Sequence, residues 1–222
     1  MALMAQLVLF GTGSTAMALH YYLQKAGHRI VAFCVDQAYL TDRTFLDCPV
    51  IPFEDLPAHY PPDRVELMIA IGYAEVNQLR ARRFEQAKKM GYRLVSYLSP
   101  NAILWDALQM GENCKIGELS ILQPFSRLGQ NVFIGSNCII GHHSTIHDHC
   151  FLGSGVQLGG NVTIQDHSFI GTGAVIRNKI VIAERSVIGA GAVILQNTRP
   201  GGVYLAAEAI EMPIDSDDLS PA

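Results

Sequence analysis

The chain has 222 residues, a net charge of −4 and 49% hydrophobic residues. That is enough apolar material for one or two domains with a sizeable core. Basic residues gather only at 80–89, which argues against a nucleic-acid or membrane-surface protein, and no apolar run reaches the roughly 18 residues of a membrane helix. Residues 1–10 run straight into a strand with no basic segment or small-residue cleavage site, so no signal peptide is expected. The five cysteines are odd in number and form no Cys-x-x-Cys, so they read as reduced packing residues of a cytoplasmic protein.

In chain order, Gln6–Phe10 is an apolar strand, Gly11, Thr12, Gly13 and Ser14 form a glycine-rich turn, and residues 15–26 form a helix closed by Gly27. Arg29–Val35 is a second strand ending at Asp36. A loop containing Pro49 and Pro52 leads to a short helical stretch around Glu54. Residues 66–71 are a third strand, 75–90 an amphipathic helix closed by Gly91, and 94–98 a fourth strand. This alternation predicts an α/β unit over residues 1–97, a small parallel sheet with helices on both faces. Ligands of such sheets bind at the carboxyl ends of the strands, which here carry Gly11 to Ser14, Asp36, Gly72 and Tyr73. The Gly-x-Gly-x-x-Ala run at a helix start could hold a phosphate, and Asp36 could accept from a ribose hydroxyl. The plainer alternative is a tight turn and a loop cap. A redox dinucleotide is disfavoured because no hydride-transfer substrate domain follows.

From 98 to 199 the sequence repeats every six residues without insertion. Ile, Leu or Met occupies all seventeen first positions, from Leu98 to Ile194. The fifth position is mostly small or β-branched, as in Cys114, Ser120, Val132, Cys138, Ser144, Cys150 and Ala174, and Gly is frequent at the second. A fixed short period specifies a solenoid. Three hexads make a triangular coil of 18 residues, giving between five and six coils of parallel β-helix, with glycine expected to ease the corners.

Five histidines crowd into one stretch: His142, His143, His147, His149 and His167. None falls on the inward position. Asp148-His149 and Asp166-His167 are one coil apart, so they should stack as a ladder about 4.8 Å apart. His142, at the third position of its hexad, suits a general base that takes the proton of an attacking amine or hydroxyl. Gly159-Gly160, Gly171-Thr172-Gly173 and Gly189-Ala190-Gly191 offer approachable backbone for a thioester.

This order of parts resembles the hexapeptide-repeat sugar acyltransferases, in particular the nucleotide-amino-sugar N-acetyltransferases of bacillosamine, perosamine and sialic-acid-type pathways. The resemblance implies a left-handed helix, a homotrimer and a Rossmann-like nucleotide-sugar domain. It further implies direct acetyl transfer from acetyl-CoA for surface polysaccharide or glycan biosynthesis, without a metal. It places the catalytic base at His142, followed by Gly160-Asn161-Val162, with His143 where the family has an acid. Acetyl-CoA contacts fall at Phe151, Gly160, Thr172 and Ala190. Phe151 replaces a usual histidine, and the run from Gly202 to Ala206 lacks the family's Pro and basic residue.

Three rivals remain open at this point. A sugar O-acetyltransferase would share the fold. A zinc enzyme like the γ-type carbonic anhydrases would use His142 and His147, but its third ligand position holds Asp106. A non-catalytic trimeric scaffold would need none of the histidines. Residues 200–222 leave the repeat; 201–211 are expected to pack back as a cap, and Asp215 to Asp218 with Ser220 to Ala222 as a solvated tail.

Overall fold

The structure, a computed structural model, describes residues 6–211, 213, 215 and 216. An α/β layer leads into a left-handed parallel β-helix, the fold class read from the sequence.

Five strands form the first sheet: β1 (Gln6–Phe10), β2 (Arg29–Val35), β3 (Thr44–Phe45), β4 (Cys48–Pro52) and β5 (Val65–Ile69), in the order β3-β4-β2-β1-β5. All neighbours are parallel except β3 and β4. Helix α1 (Ser14–Lys25) covers one face with Ala16, Leu19 and Leu23. Helix α3 (Gln78–Lys89) covers the other with Phe84 and Ala87, and the short α2 (Leu56–His59) adds Leu56 beside it. Two expectations are corrected. The Pro49/Pro52 loop is the strand β4; Pro49 lies ahead of its pairing with β2, which begins at Val50, and Pro52 is its last residue. The expected fourth strand joins the first sheet only through a single bridge, Leu67 to Leu94; Tyr97–Leu98 instead pairs with Lys115–Ile116 of the solenoid.

The solenoid has three faces. The first carries Tyr97–Leu98, Lys115–Ile116, Phe133–Ile134, Phe151–Leu152, Phe169–Ile170 and Val187–Ile188. The second runs from Ile103–Leu104 to Val193–Ile194, and the third from Arg127–Leu128 to Val181–Ile182. Register steps are 18 residues from the first pair of each face to Ile194, as in Phe133 to Phe151 to Phe169 and Thr145 to Thr163. From Leu104 on, the second residue of each pair is the inward aliphatic one, and these stack into one continuous core, whereas in the first pair Leu98 is exposed and Tyr97 is buried.

Glycine serves the corners as expected at Gly155, Gly173 and Gly191, which take positive φ, but most corners carry another residue there. Positive φ falls on the fourth position, at Asn113, Asn131, Asn137, His143, His149, Asn161 and His167 among others. The second-position glycines serve close stacking: a Cβ at Gly135 would lie 2.5 Å from Ser154 N, and one at Gly141 2.5 Å from Gly159 backbone atoms. The small fifth-position residues do more than fill space. Cys114, Cys138 and Cys150 donate their thiols to Gly129 O, Gly153 O and Gln165 O of the next coil, at 3.1–3.2 Å, and Ser120 and Ser144 do the same with hydroxyls. Burial pushes the thiols of Cys114 and Cys150 up to about 11 and about 12, so both stay protonated donors. All five cysteines are free.

At the far end, Val203–Tyr204 adds to the first face beside Val187–Ile188, two residues short of the usual step. Leu205 and Ile210 are exposed, so residues 205–211 do not pack back as the expected cap. Of the expected tail, residues 217–222 lie outside the described residues. Among the described residues, no helix is long and apolar enough to cross a membrane.

Candidate active site

The glycine-rich turn is built by crowding. Gly11 has φ +113°, and a Cβ there would meet Ile71 Cγ2 at 2.8 Å. Gly13 caps α1, whose first turn carries neither a side-chain cap nor an acidic residue, the kind of helix start whose N–H groups can receive an anion. Two cavities flank this turn. One, about 380 Å³, is lined by Gly13, Ser14, Thr15, Gly72 and Tyr73; the other, about 250 Å³, by Thr12, Tyr39, Asp42, Thr44 and Phe45. Asp36 lines neither. Its Oδ2 accepts from Arg83 Nε and Nη2 at 3.2 and 2.7 Å in a largely buried ion pair. The Tyr73 ring packs against Phe151 and Phe169, at 5.1 and 4.7 Å between centroids, so Phe151 belongs to the wall beside this loop.

His142 and His143 sit at the corner between the second and third faces. The His142 N–H donates to Gln123 Oε1, and the two rings share one hydrogen bond between their Nδ1 atoms at 3.0 Å. His143 is held by a stack on Phe125, at 4.6 Å, which in turn contacts Trp105. When the shared proton rests on His142 Nδ1, its Nε2 carries the free lone pair. That nitrogen faces Gly160 on the next coil, where a Cβ would come within 2.6 Å of it. An imidazole thus sits beside His142 where the resemblance has an acid.

Thr172 and Ala190 stack on the corner between the first and second faces, with Gly171 admitting Ala190 N as close as a hydrogen-sized side chain allows. One chain therefore gathers the sequence-selected residues into three separate groups: the turn with Gly72, Tyr73 and Phe151; the His142, His143 and Gly160 corner; and the Thr172 and Ala190 corner. Among the described residues, no three His, Cys, Asp or Glu are arranged to hold a metal ion.

The histidine ladder forms as expected: His149 and His167 stack at 4.9 Å, and Asp166 Oδ1 accepts from Asp148 N. It is half-buried under α3, however, and burial beside His167 brings His149 down to about 4. With Arg82, Lys89 and Arg185 the ladder lines a groove of about 500 Å³. Sequence reasoning named Phe151 alone and missed the aromatic column it forms with Phe133 and Phe169, although the 18-residue spacing was visible, and it took Arg80 only as the start of a basic run.

Residues 125–160 and 161–196 each match the family described as bacterial transferase hexapeptide (six repeats). The solenoid thus carries, over residues 125–196, the repeat that this family model describes. Across nearly its whole length the chain is similar in structure to PerB from Caulobacter crescentus in complex with CoA and GDP-perosamine, at 23% identity and TM-score 0.83, covering 92% of this chain and 95% of that one. It is similar to the acetyltransferase domain of PglB from Neisseria gonorrhoeae in complex with acetyl coenzyme A, at 22% identity and TM-score 0.82, covering 90% and 96%. It is also similar to WeeI from Acinetobacter baumannii, at 22% identity and TM-score 0.80, over the same shares. At these identities the likeness is one of fold. No curated protein matches the chain by sequence.

Proposed function

We propose that this protein is an acetyl-CoA-dependent N-acetyltransferase of a nucleotide-linked amino-deoxy sugar, active as a cytoplasmic homotrimer. Residues 1–97 hold the nucleotide sugar, 98–199 carry the transfer chemistry and 200–222 end the solenoid. The observation that carries this reading is His142 Nε2, oriented from behind by His143 and facing the bare backbone of Gly160. The complexes of PerB with CoA and GDP-perosamine, and of the PglB domain with acetyl coenzyme A, support the choice of substrates.

In this mechanism the sugar amine attacks the thioester carbonyl carbon, forming the C–N bond, while His142 Nε2 takes the amine proton. The Gly160 N–H stabilises the oxyanion, a contribution of about 3 kcal/mol in comparable sites. Collapse breaks the C–S bond and releases CoA thiolate, which takes the proton from His142 Nε2 and leaves as the thiol. Asp36, held by Arg83, shapes the sugar side indirectly. Thr172 and Ala190 line the path of CoA.

Thiol release from acetyl-CoA, measured against UDP-, dTDP- and GDP-linked 4-amino-6-deoxy sugars and their hydroxy analogues, tests the reading. Turnover of an amino sugar, lost in His142→Ala, is expected. Turnover of only a hydroxy sugar would make the reaction O-acetylation. Full activity in His142→Ala would remove His142 as the base.

A further inference from the structure

Helix α3 carries five basic residues, and three of them have carboxylate partners: Arg82 with Glu75, Arg83 with Asp36 and Lys88 with Glu112. Arg80 has none, yet its side chain is 0% exposed. A buried cation without a counterion is costly unless every donor is satisfied. Here its donors reach Gly72 O at 2.7 Å, Asn77 Oδ1 at 3.2 Å, Asn131 Oδ1 at 3.1 Å, and the carbonyls of Asn131, His149 and Cys150 at 3.0–3.3 Å. The guanidinium carbon lies 4.5 Å from the centroid of Phe133. Burial brings its pKa down to about 9, which leaves it charged at neutral pH.

The groups it joins are informative. Gly72 opens the β5–α3 loop, and the next residue, Tyr73, lines the cavity beside the glycine-rich turn. The loop ends in three consecutive left-handed residues, Glu75, Val76 and Asn77, with φ of 54°, 50° and 67°. For a β-branched residue such as Val76 this is an outlier that persists only where the surroundings enforce it. The enforcement is visible. Asn77 Nδ2 donates to His167 O and Ser168 O, and Asn77 Oδ1 accepts from Arg80. Asn113 joins the same network: its Oδ1 accepts from Ile69 N at the end of β5, and its Nδ2 donates to Asn131 Oδ1. A buried polar chain thus runs from the end of β5 through Asn113, Asn131 and Arg80 to Gly72 and Asn77.

We propose that Arg80 and Asn77 form a positioning clamp that fixes the Gly72-Tyr73 edge of the nucleotide-sugar cavity against the solenoid. The clamp touches no reacting atom; it sets where the acceptor sugar lies relative to the transfer chemistry. This rests on the function proposed above. A plain packing role would be met by an apolar side chain, and would not require six donor contacts directed onto one loop and one corner.

The test is steady-state kinetics of Arg80→Met, Arg80→Lys and Asn77→Gly, with Lys88→Met as a control on the same helix. Asn77→Gly keeps the left-handed backbone accessible while removing the side-chain ties. The expected result is a rise of about tenfold or more in KM for the nucleotide sugar, with KM for acetyl-CoA changed by less than about twofold. Arg80→Lys, which keeps the charge but not the fork, should fall between Arg80→Met and the parent. Folded variants with parental KM for the sugar overturn the clamp. If Arg80→Met does not fold, Asn77→Gly decides alone. Calorimetric binding of GDP, UDP and dTDP separates the two layers: a parent protein that binds none of them and turns over none of the linked amino sugars overturns the functional reading, whereas equal binding by parent and variants overturns only the clamp.

Discussion

A methyl group on Gly160 would stand 2.6 Å from His142 Nε2, so the ring would have to swing away. The neighbour is a side chain and not backbone, which makes the move cheap for folding and expensive for chemistry. Gly160→Ala is expected to lower kcat about a hundredfold, the scale of a misplacement of about 1 Å, with a melting temperature within a few degrees of the parent. His149 supports a different prediction. Its pKa falls from 6.5 to about 4 on folding, chiefly through burial, and His167 is lowered for the same reason. Between those values the unfolded chain binds a proton that the folded chain does not, so the stability from a neutral His149 is full above pH 6.5 and is lost as pH falls towards 4. His149→Asn places at the left-handed corner a residue that Asn131 already shows to fit one coil earlier. Thermal unfolding from pH 7 to pH 4 should then decline less steeply than in the parent. That His142 and His149 stand outside the core was legible from the hexad. That one of them lies beneath a helix was not, because the hexad says nothing of what covers a corner.

Among the elements, the solenoid was the most legible, since an inward aliphatic every sixth residue fixes face, register and coil length together. The meaning of its glycines was not, because a period records where small residues recur and not whether φ or space demands them. The structure turns that distinction into an expectation. Gly135→Ala, whose Cβ would lie 2.5 Å from the backbone of the next coil, should destabilise by about 1–3 kcal/mol, measured by chemical denaturation. Gly173→Ala, with open space but φ +69°, should lose only about 1 kcal/mol, the left-handed penalty. Helix α3 shows the opposite failure of pattern. Apolar spacing extended it back to residue 75, but the chain is left-handed until Asn77 and the helix begins at Gln78. Long-range ties to His167 and Ser168 overrode local preference there, and no local signal carries them.

On the scale of the molecule, the three groups of candidate residues lie on different corners and faces of one chain, and the proposed reaction asks whether one chain or two complete a site. A closed ring of three subunits would bring the second corner of one solenoid to the first corner and the α/β layer of the next, as heterologous interfaces do. Sequence spacing assigned the residues to their positions within a coil but was silent on which copies of the chain meet. Subunit mixing decides this. His142→Ala removes the base, and Ser14→Trp fills the cavity at the start of α1; each protein alone is expected to be inactive. If each site takes its base from one subunit and its sugar cavity from the neighbour, trimers refolded from an equal mixture should recover about a quarter of parental thiol release, since half of the bases meet half of the cavities at random. If base and cavity served the same site within one chain, every site would carry one of the two defects and the mixture would stay as inactive as its parts.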